Sequence, residues 1–149
     1  MKNIFLSVFM LCSVAVMAQQ PKPATTAAPK LFTKLGNQPG GNAGTDIIKR
    51  IVDSSVNVID AKGVRYPVVG FTIVYYFMTD YMDEETQQKK RSKDIRSSTF
   101  DSDKLSEDWI NSIKENTKVS DTLLINNVFI RMKDGKKRFA PNVKYVVAY

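Results

Sequence analysis

Residues 68–78 read Val-Val-Gly-Phe-Thr-Ile-Val-Tyr-Tyr-Phe-Met. Successive side chains of a strand point to opposite faces, so Phe71, Ile73, Tyr75 and Phe77 share one side and Thr72, Val74, Tyr76 and Met78 the other. β-Branched and aromatic residues at this density favour a strand. Apolar character on both sides predicts a central one.

Working outward, Val56 to Asp60 and Val64 to Val69 flank Asp60-Ala61-Lys62-Gly63, a turn with a glycine to close it, and so predict a hairpin. Ile47 to Val52 is expected as a strand in preference to a short helical turn. Downstream, Ser106 to Glu115 carries a helix signature. Glu107 and Asp108 occupy the positive end of the dipole, Trp109, Ile110 and Ile113 make one apolar side, and Asn116 is a left-handed terminator. Two closing strands, Leu123 to Met132 and Val143 to Tyr149, flank the Asp-Gly hairpin signal Lys133-Asp134-Gly135-Lys136. No repeat recurs along the chain, so an array is not expected. These elements predict a mainly β chain: a single β-sandwich-like domain over 46–149 with one short α-helix.

Residues 19–45 read differently. Pro21, Pro23, Pro29 and Pro39, the Ala/Thr run 24–28 and Gly36, Gly40, Gly41 and Gly44 leave little apolar side chain to offset the entropy of ordering them. A flexible linker is expected, with Leu31-Phe32 and Leu35 as a weak docking point. Ahead of it, Lys2, the apolar run Ile4 to Val16 and the small residues at Val16 and Ala18 before Gln19 form a signal-peptide pattern over 1–18. The run is shorter than the roughly 20 residues that span a bilayer. Cys12 follows Leu11, which is not a lipidation signal. The expectation is a periplasmic or secreted protein that is not an integral membrane protein after cleavage and that meets no nucleic acid.

The 149-residue chain has no histidine and a single cysteine, which lies in the leader. Ser-His-Asp and Cys-His catalysis and ordinary zinc sites each require those side chains. Paired carboxylates remain, as Asp101 with Asp103 or Asp80 with Asp83, Glu84 and Glu85. Nothing in their pattern sets them apart from solvated loop acids. Gly36 and Gly41 have phosphate-loop spacing, but Asn42 stands where lysine is required and no strand is predicted before them. Asp101-x-Asp103 opens like a calcium loop, yet Leu105 takes the next ligand position and Ser112 the place of the bidentate glutamate. No enzyme activity, cofactor or metal is expected.

Charge is the remaining lead: 22 Lys and Arg against 15 Asp and Glu give a net charge of +7. The basic residues cluster as Lys89-Lys90-Arg91, Lys93 and Arg96, and again as Lys133, Lys136, Lys137 and Arg138. Both clusters coincide with predicted loops. They read either as solvated tips or as contacts to an acidic protein, lipid headgroups or an anionic envelope polymer. Tyr75, Tyr76, Phe77 and Tyr81 read either as a stacking platform or, for the central strand, as core, and Trp109 as a cover of that core. The candidate partner-binding residues are therefore Tyr81, Lys89, Lys90, Arg91, Lys93 and Arg96.

The order of elements from Tyr66 to Tyr149 resembles the C-terminal domain of the GldM/PorM family, the periplasmic shaft of the type IX secretion and gliding motor. The resemblance rests on Val69-Gly70-Phe71-Thr72-Ile73-Val74, Ser97-Ser98-Thr99-Phe100, the helix through Trp109-Ile110-Asn111-Ser112-Ile113-Lys114, and Lys133-Asp134-Gly135-Lys136-Lys137-Arg138 followed by Pro141 and a final strand. Asn116 departs from the glycine expected after that helix, and Tyr81 to Arg96 forms a longer charged insertion. The family's retained membrane anchor and preceding periplasmic domains have no counterpart in the leader, linker and single domain read here, so energy transduction is not carried over. What the resemblance implies is a β-sandwich-like interaction domain of the envelope. The expected function is a non-enzymatic, exported protein-interaction module of the bacterial cell envelope whose partner is an envelope or secretion-complex protein. The alternative is a secreted or surface module that binds carbohydrate or another anionic polymer.

Overall fold

The computed structural model describes residues 28–148; the expected leader 1–18 and residues 19–27 lie outside them. The elements in chain order are β1 (Leu31–Leu35), β2 (Gly41–Ala43), α1 (Thr45–Ile51), β3 (Val56–Asp60), β4 (Arg65–Tyr66), β5 (Val68–Met82), β6 (Lys89–Phe100), α2 (Glu107–Asn116), β7 (Thr122–Arg131), β8 (Lys137–Phe139) and β9 (Val143–Val147). The protein is mainly β and its layers are sandwich-like. A three-stranded sheet in the order β1-β3-β4 stands against a six-stranded one in the order β2-β9-β7-β5-β6, with β8 on β7.

β5 is the inner strand that its alternation predicts. Phe71, Ile73 and Tyr75 are buried, and Leu123, Ile125, Val143, Tyr145 and Val147 of β7 and β9 join them on the same side. Leu35, Val56 and Val58 of the small sheet, with Ile48 and Ile113 of the two helices, close over them into one core. Asn127, with φ 48°, inserts an extra residue into β7 between the pairs Gly70↔Phe129 and Thr72↔Asn126. The inward register therefore steps from Leu123 and Ile125 to Val128 and Ile130. Where β5 and β6 draw together, a Cβ at Gly70 would stand 3.0 Å from the Phe100 carbonyl oxygen, which explains the glycine in an otherwise bulky strand.

Four expectations are corrected. The segment read as linker holds β1 and β2, and Leu35 is wholly buried, so the fold reaches back at least to Leu31. The Leu35 N–H donates to the Tyr145 hydroxyl at 2.7 Å, and that hydroxyl donates to the Gln38 carbonyl at 2.8 Å. Through these bonds β1 is fixed to β9. Second, Ile47 to Val52 is mostly helical. Ile47, Ile48, Ile51 and Val52 form a helical stripe, with Asp46 in the first turn and Lys49 and Arg50 in the last to complement the dipole.

Third, the Lys133–Lys136 turn joins β7 to the short β8; β9 pairs with the other half of β7. Fourth, Asn116 is the last helical residue of α2 and Thr117 caps it in an extended conformation. The closing carbonyls are met by side chains instead: Asn116 Nδ2 donates to Ser112 O at 2.8 Å and Thr117 Oγ1 to Ile113 O. The β3–β4 turn forms as expected, with Asp60 Oδ1 accepting from Lys62 N at 2.8 Å and Val64 N at 2.9 Å.

Candidate functional site

β5 pairs with β7 only as far as Tyr76, whereas its pairing with β6 continues to Met82↔Lys89. Phe77–Met82 and Lys89–Asp94 thus leave the sheet as a two-stranded arm, about 20 Å long at about 3.3 Å per residue. The stretch expected as a charged loop is this arm. Phe77 still packs against the core, but beyond it most of the arm's residues are exposed and polar, so the alternation that marks a half-buried strand is missing.

An isolated two-stranded ribbon is marginal in water, and cross-strand contacts must sustain it. Asp80 receives Lys89 Nζ at 3.1 Å and Arg91 Nε at 3.0 Å, and Asp83 receives Lys90 Nζ. At the tip, Asp83 Oδ1 also accepts from Thr86 N at 2.8 Å and Thr86 Oγ1 at 2.7 Å, and Gln87 turns the chain with φ 52°. These contacts hold the Asp83 carboxyl down at about 2, the Lys90 bond contributing most and the Thr86 bonds next. The Lys89 bond likewise lowers Asp80 most; burial opposes it, and the charges of Lys89 and Arg91 add smaller lowering effects.

The six candidate residues do not form one patch. Strand alternation puts Lys89, Arg91 and Lys93 on the face of the arm away from the core, and Tyr81, Lys90 and Arg96 on the other. Lys93 lies over the Tyr76 ring at 4.9 Å. Arg96 lies 5.2 Å from the Trp109 ring and donates to Ser112 Oγ at 2.7 Å, so it fastens β6 to α2. Tyr81, opposite Lys90, is 47% exposed. Tyr75 is core, its hydroxyl donating to buried Asp121 at 2.6 Å; burial and that carboxylate together raise its pKa. Trp109 packs edge-on to Phe100, as a cover of the core would.

What the sequence did not single out is the surface into which the arm continues. The six-stranded sheet buries one face. On the other stand Val74, Tyr76, Leu124 and Val146, each half-buried by its neighbours, and Ile95, 61% exposed. Among the described residues no layer covers this face. Hydroxyls surround the apolar band, with Thr72 and Thr99 hydrogen-bonded across β5 and β6 at 3.0 Å. Lys89, Arg91, Lys93 and Lys144 also point this way, against Asp80 alone among the carboxylates of β5, β6, β7 and β9. Where arm meets sheet, Met78, Asp80 and Arg91 face Lys118, Val119 and Ser120 across a shallow cleft. Alternation in β7 and β9 carried a signal for this face, because Leu124 and Val146 are apolar at positions the core does not use.

Asp101 and Asp103 lie on the connection from β6 to α2, and the Asp103 carbonyl accepts from Val56 N, tying that connection to β3. Among the described residues no group of three or more His, Cys, Asp or Glu is placed to hold a metal, and no helix is long and apolar enough to cross a membrane. No protein-family model matches the chain, and no curated protein matches it either.

Proposed function

We propose that this protein is a non-enzymatic, exported interaction module of the cell envelope, and that it binds a protein partner on the open face of its six-stranded sheet and the adjoining arm. The observation that carries this reading is the uncovered band of Val74, Tyr76, Ile95, Leu124 and Val146, bordered by cations, on a sheet whose other face packs on the core. Contiguous apolar surface with a polar, charged rim is the anatomy of a protein-binding surface. Export rests on the leader pattern of residues 1–18. The resemblance in element order to the GldM/PorM C-terminal domain makes a component of a type IX secretion or gliding complex the natural partner.

Capture from an envelope extract with the wild-type protein and an Ile95→Glu variant tests the reading. Ile95 is exposed, so the substitution spares the core. A protein retained by the wild type and lost by the variant is the expected result. Recovery of glycan with no protein partner would overturn the reading in favour of a polymer-binding module.

A further inference from the structure

At the end of the sheet remote from the arm, the β7–β8 hairpin concentrates cations that form no ion pair among the described residues. Arg131 stands directly opposite Lys137, and Lys133, Lys136 and Arg138 belong to the same hairpin. Like charges placed opposite one another on neighbouring strands repel. Among the described residues none of these five side chains is ion-paired, in contrast to the arm, where Lys89, Lys90 and Arg91 are. Asp134, the hairpin's single carboxylate, accepts the Lys136 backbone N–H at 3.1 Å. Residues 1–27 contain no Asp or Glu, so no side-chain carboxylate from that segment can compensate them.

On the same face as the Arg131/Lys137 pair, one step along the hairpin, Phe129 and Phe139 are paired with ring centroids 4.3 Å apart. Phe139 is 65% exposed and Phe129 36%, although both are large and apolar. Half-buried Met132 closes the strand, and it lines a groove with Arg138, Phe139, Ala28 and Pro29. The chain therefore joins the fold at this corner. Residues 1–27, which carry the apolar run 4–16, lead into it.

We propose that the β7–β8 hairpin is a contact site for an anionic phospholipid surface. Arg131, Lys133, Lys136, Lys137 and Arg138 meet the phosphates, and the Phe129/Phe139 pair enters the boundary between headgroups and acyl chains. Exposed aromatic side chains beside clustered cations are the pairing such a boundary selects. A polyanion with no apolar or stacking surface would use the cations and leave the ring pair in water. The site lies on the same outer side of the six-stranded sheet as the protein-binding band but at the opposite end of β5 and β7 from the arm, so substitutions at the arm test the two separately.

The test is sedimentation of the exported protein with vesicles of phosphatidylglycerol and phosphatidylcholine, 3 to 7, compared with phosphatidylcholine alone. Attraction of this kind falls with salt and is lost by about fivefold per neutralised cation near the surface, so Arg131→Gln with Lys137→Gln should weaken binding roughly 30-fold. Phe139→Ser should weaken binding without altering its salt dependence. Lys89→Gln with Lys90→Gln, at the far arm, should leave it unchanged, and melting curves confirm that each variant is folded. Equal binding to both vesicle types, or binding that survives the hairpin substitutions, overturns the proposal. So does binding to a soluble acidic polysaccharide with no retention on vesicles, which would assign the hairpin to a polymer.

Discussion

Replacing Tyr145 by Phe removes one oxygen atom and tests how β1 is held. That hydroxyl accepts the Leu35 N–H at 2.7 Å and donates to the Gln38 carbonyl at 2.8 Å, joining residues more than a hundred positions apart. Leu35 and Tyr145 are both 0% exposed. Without the hydroxyl the Leu35 N–H has no acceptor in a dry site, whereas Gln38 is only half-buried and its carbonyl can turn to water. A stranded buried donor costs about 1–3 kcal/mol, and the lost Gln38 bond adds up to about 1 kcal/mol, so a loss of about 1–4 kcal/mol is expected. Urea unfolding should show this as a lower midpoint with an unchanged slope.

The pH dependence gives a second reading of the same substitution. Burial pushes the Tyr145 hydroxyl up to about 12, against a smaller lowering by the Leu35 N–H. With the folded pKa above the unfolded value of 10.0, its contribution to stability is present in full below pH 10 and is lost as pH rises toward 12. Tyr145→Phe should flatten part of that alkaline loss. Tyr75, raised by burial and by Asp121, and Tyr66, raised by burial and by Asp60, contribute to what remains. A loss under about 0.5 kcal/mol at neutral pH would refute the account of β1, since it would mean that the Leu35 N–H finds water after all.

Two further outcomes follow from the same structure. A chain beginning at Asp46 lacks β1 and β2, and with them buried Thr33, Leu35 and Ala43; circular dichroism and urea titration should find no cooperative transition. In the arm, the Asp83 carboxyl should titrate near 2 by NMR, and Lys90→Met should move it upward toward 3.8. Because its folded pKa is depressed, the pairing with Lys90 is complete above pH 3.8 and is lost as pH falls through about 2, which cross-strand contacts between Tyr81 and Lys90 should report.

The strand at 68–78 was legible because a buried strand with neighbours on both sides cannot avoid apolar alternation. The β3–β4 turn was legible because Asp60 and Gly63 do specific backbone work there. β1 was not. Leu31, Thr33 and Leu35 do alternate, but the surrounding prolines and glycines resemble a linker, and the bond to Tyr145 that fixes them comes from the far end of the chain. α1 was misread because its four β-branched residues suggest a strand, although their spacing fits a helical stripe. The arm was read as a loop because cross-strand ion pairing leaves no hydrophobic period. Of the candidate site, composition showed the cations, but only the register shows that Lys89, Lys90 and Arg91 are answered by Asp80 and Asp83 while Arg131 and Lys137 face each other unanswered.

The claim that the open sheet face binds a protein is tested most directly by a photo-crosslinking residue placed in cells at position 95, with a control at position 64. Both native side chains are exposed, Ile95 at 61% on the open face and Val64 at 37% beyond β3 on the small sheet. The account predicts a discrete protein adduct from position 95 that is missing from position 64. No adduct from position 95, or the same adducts from both positions, would contradict it.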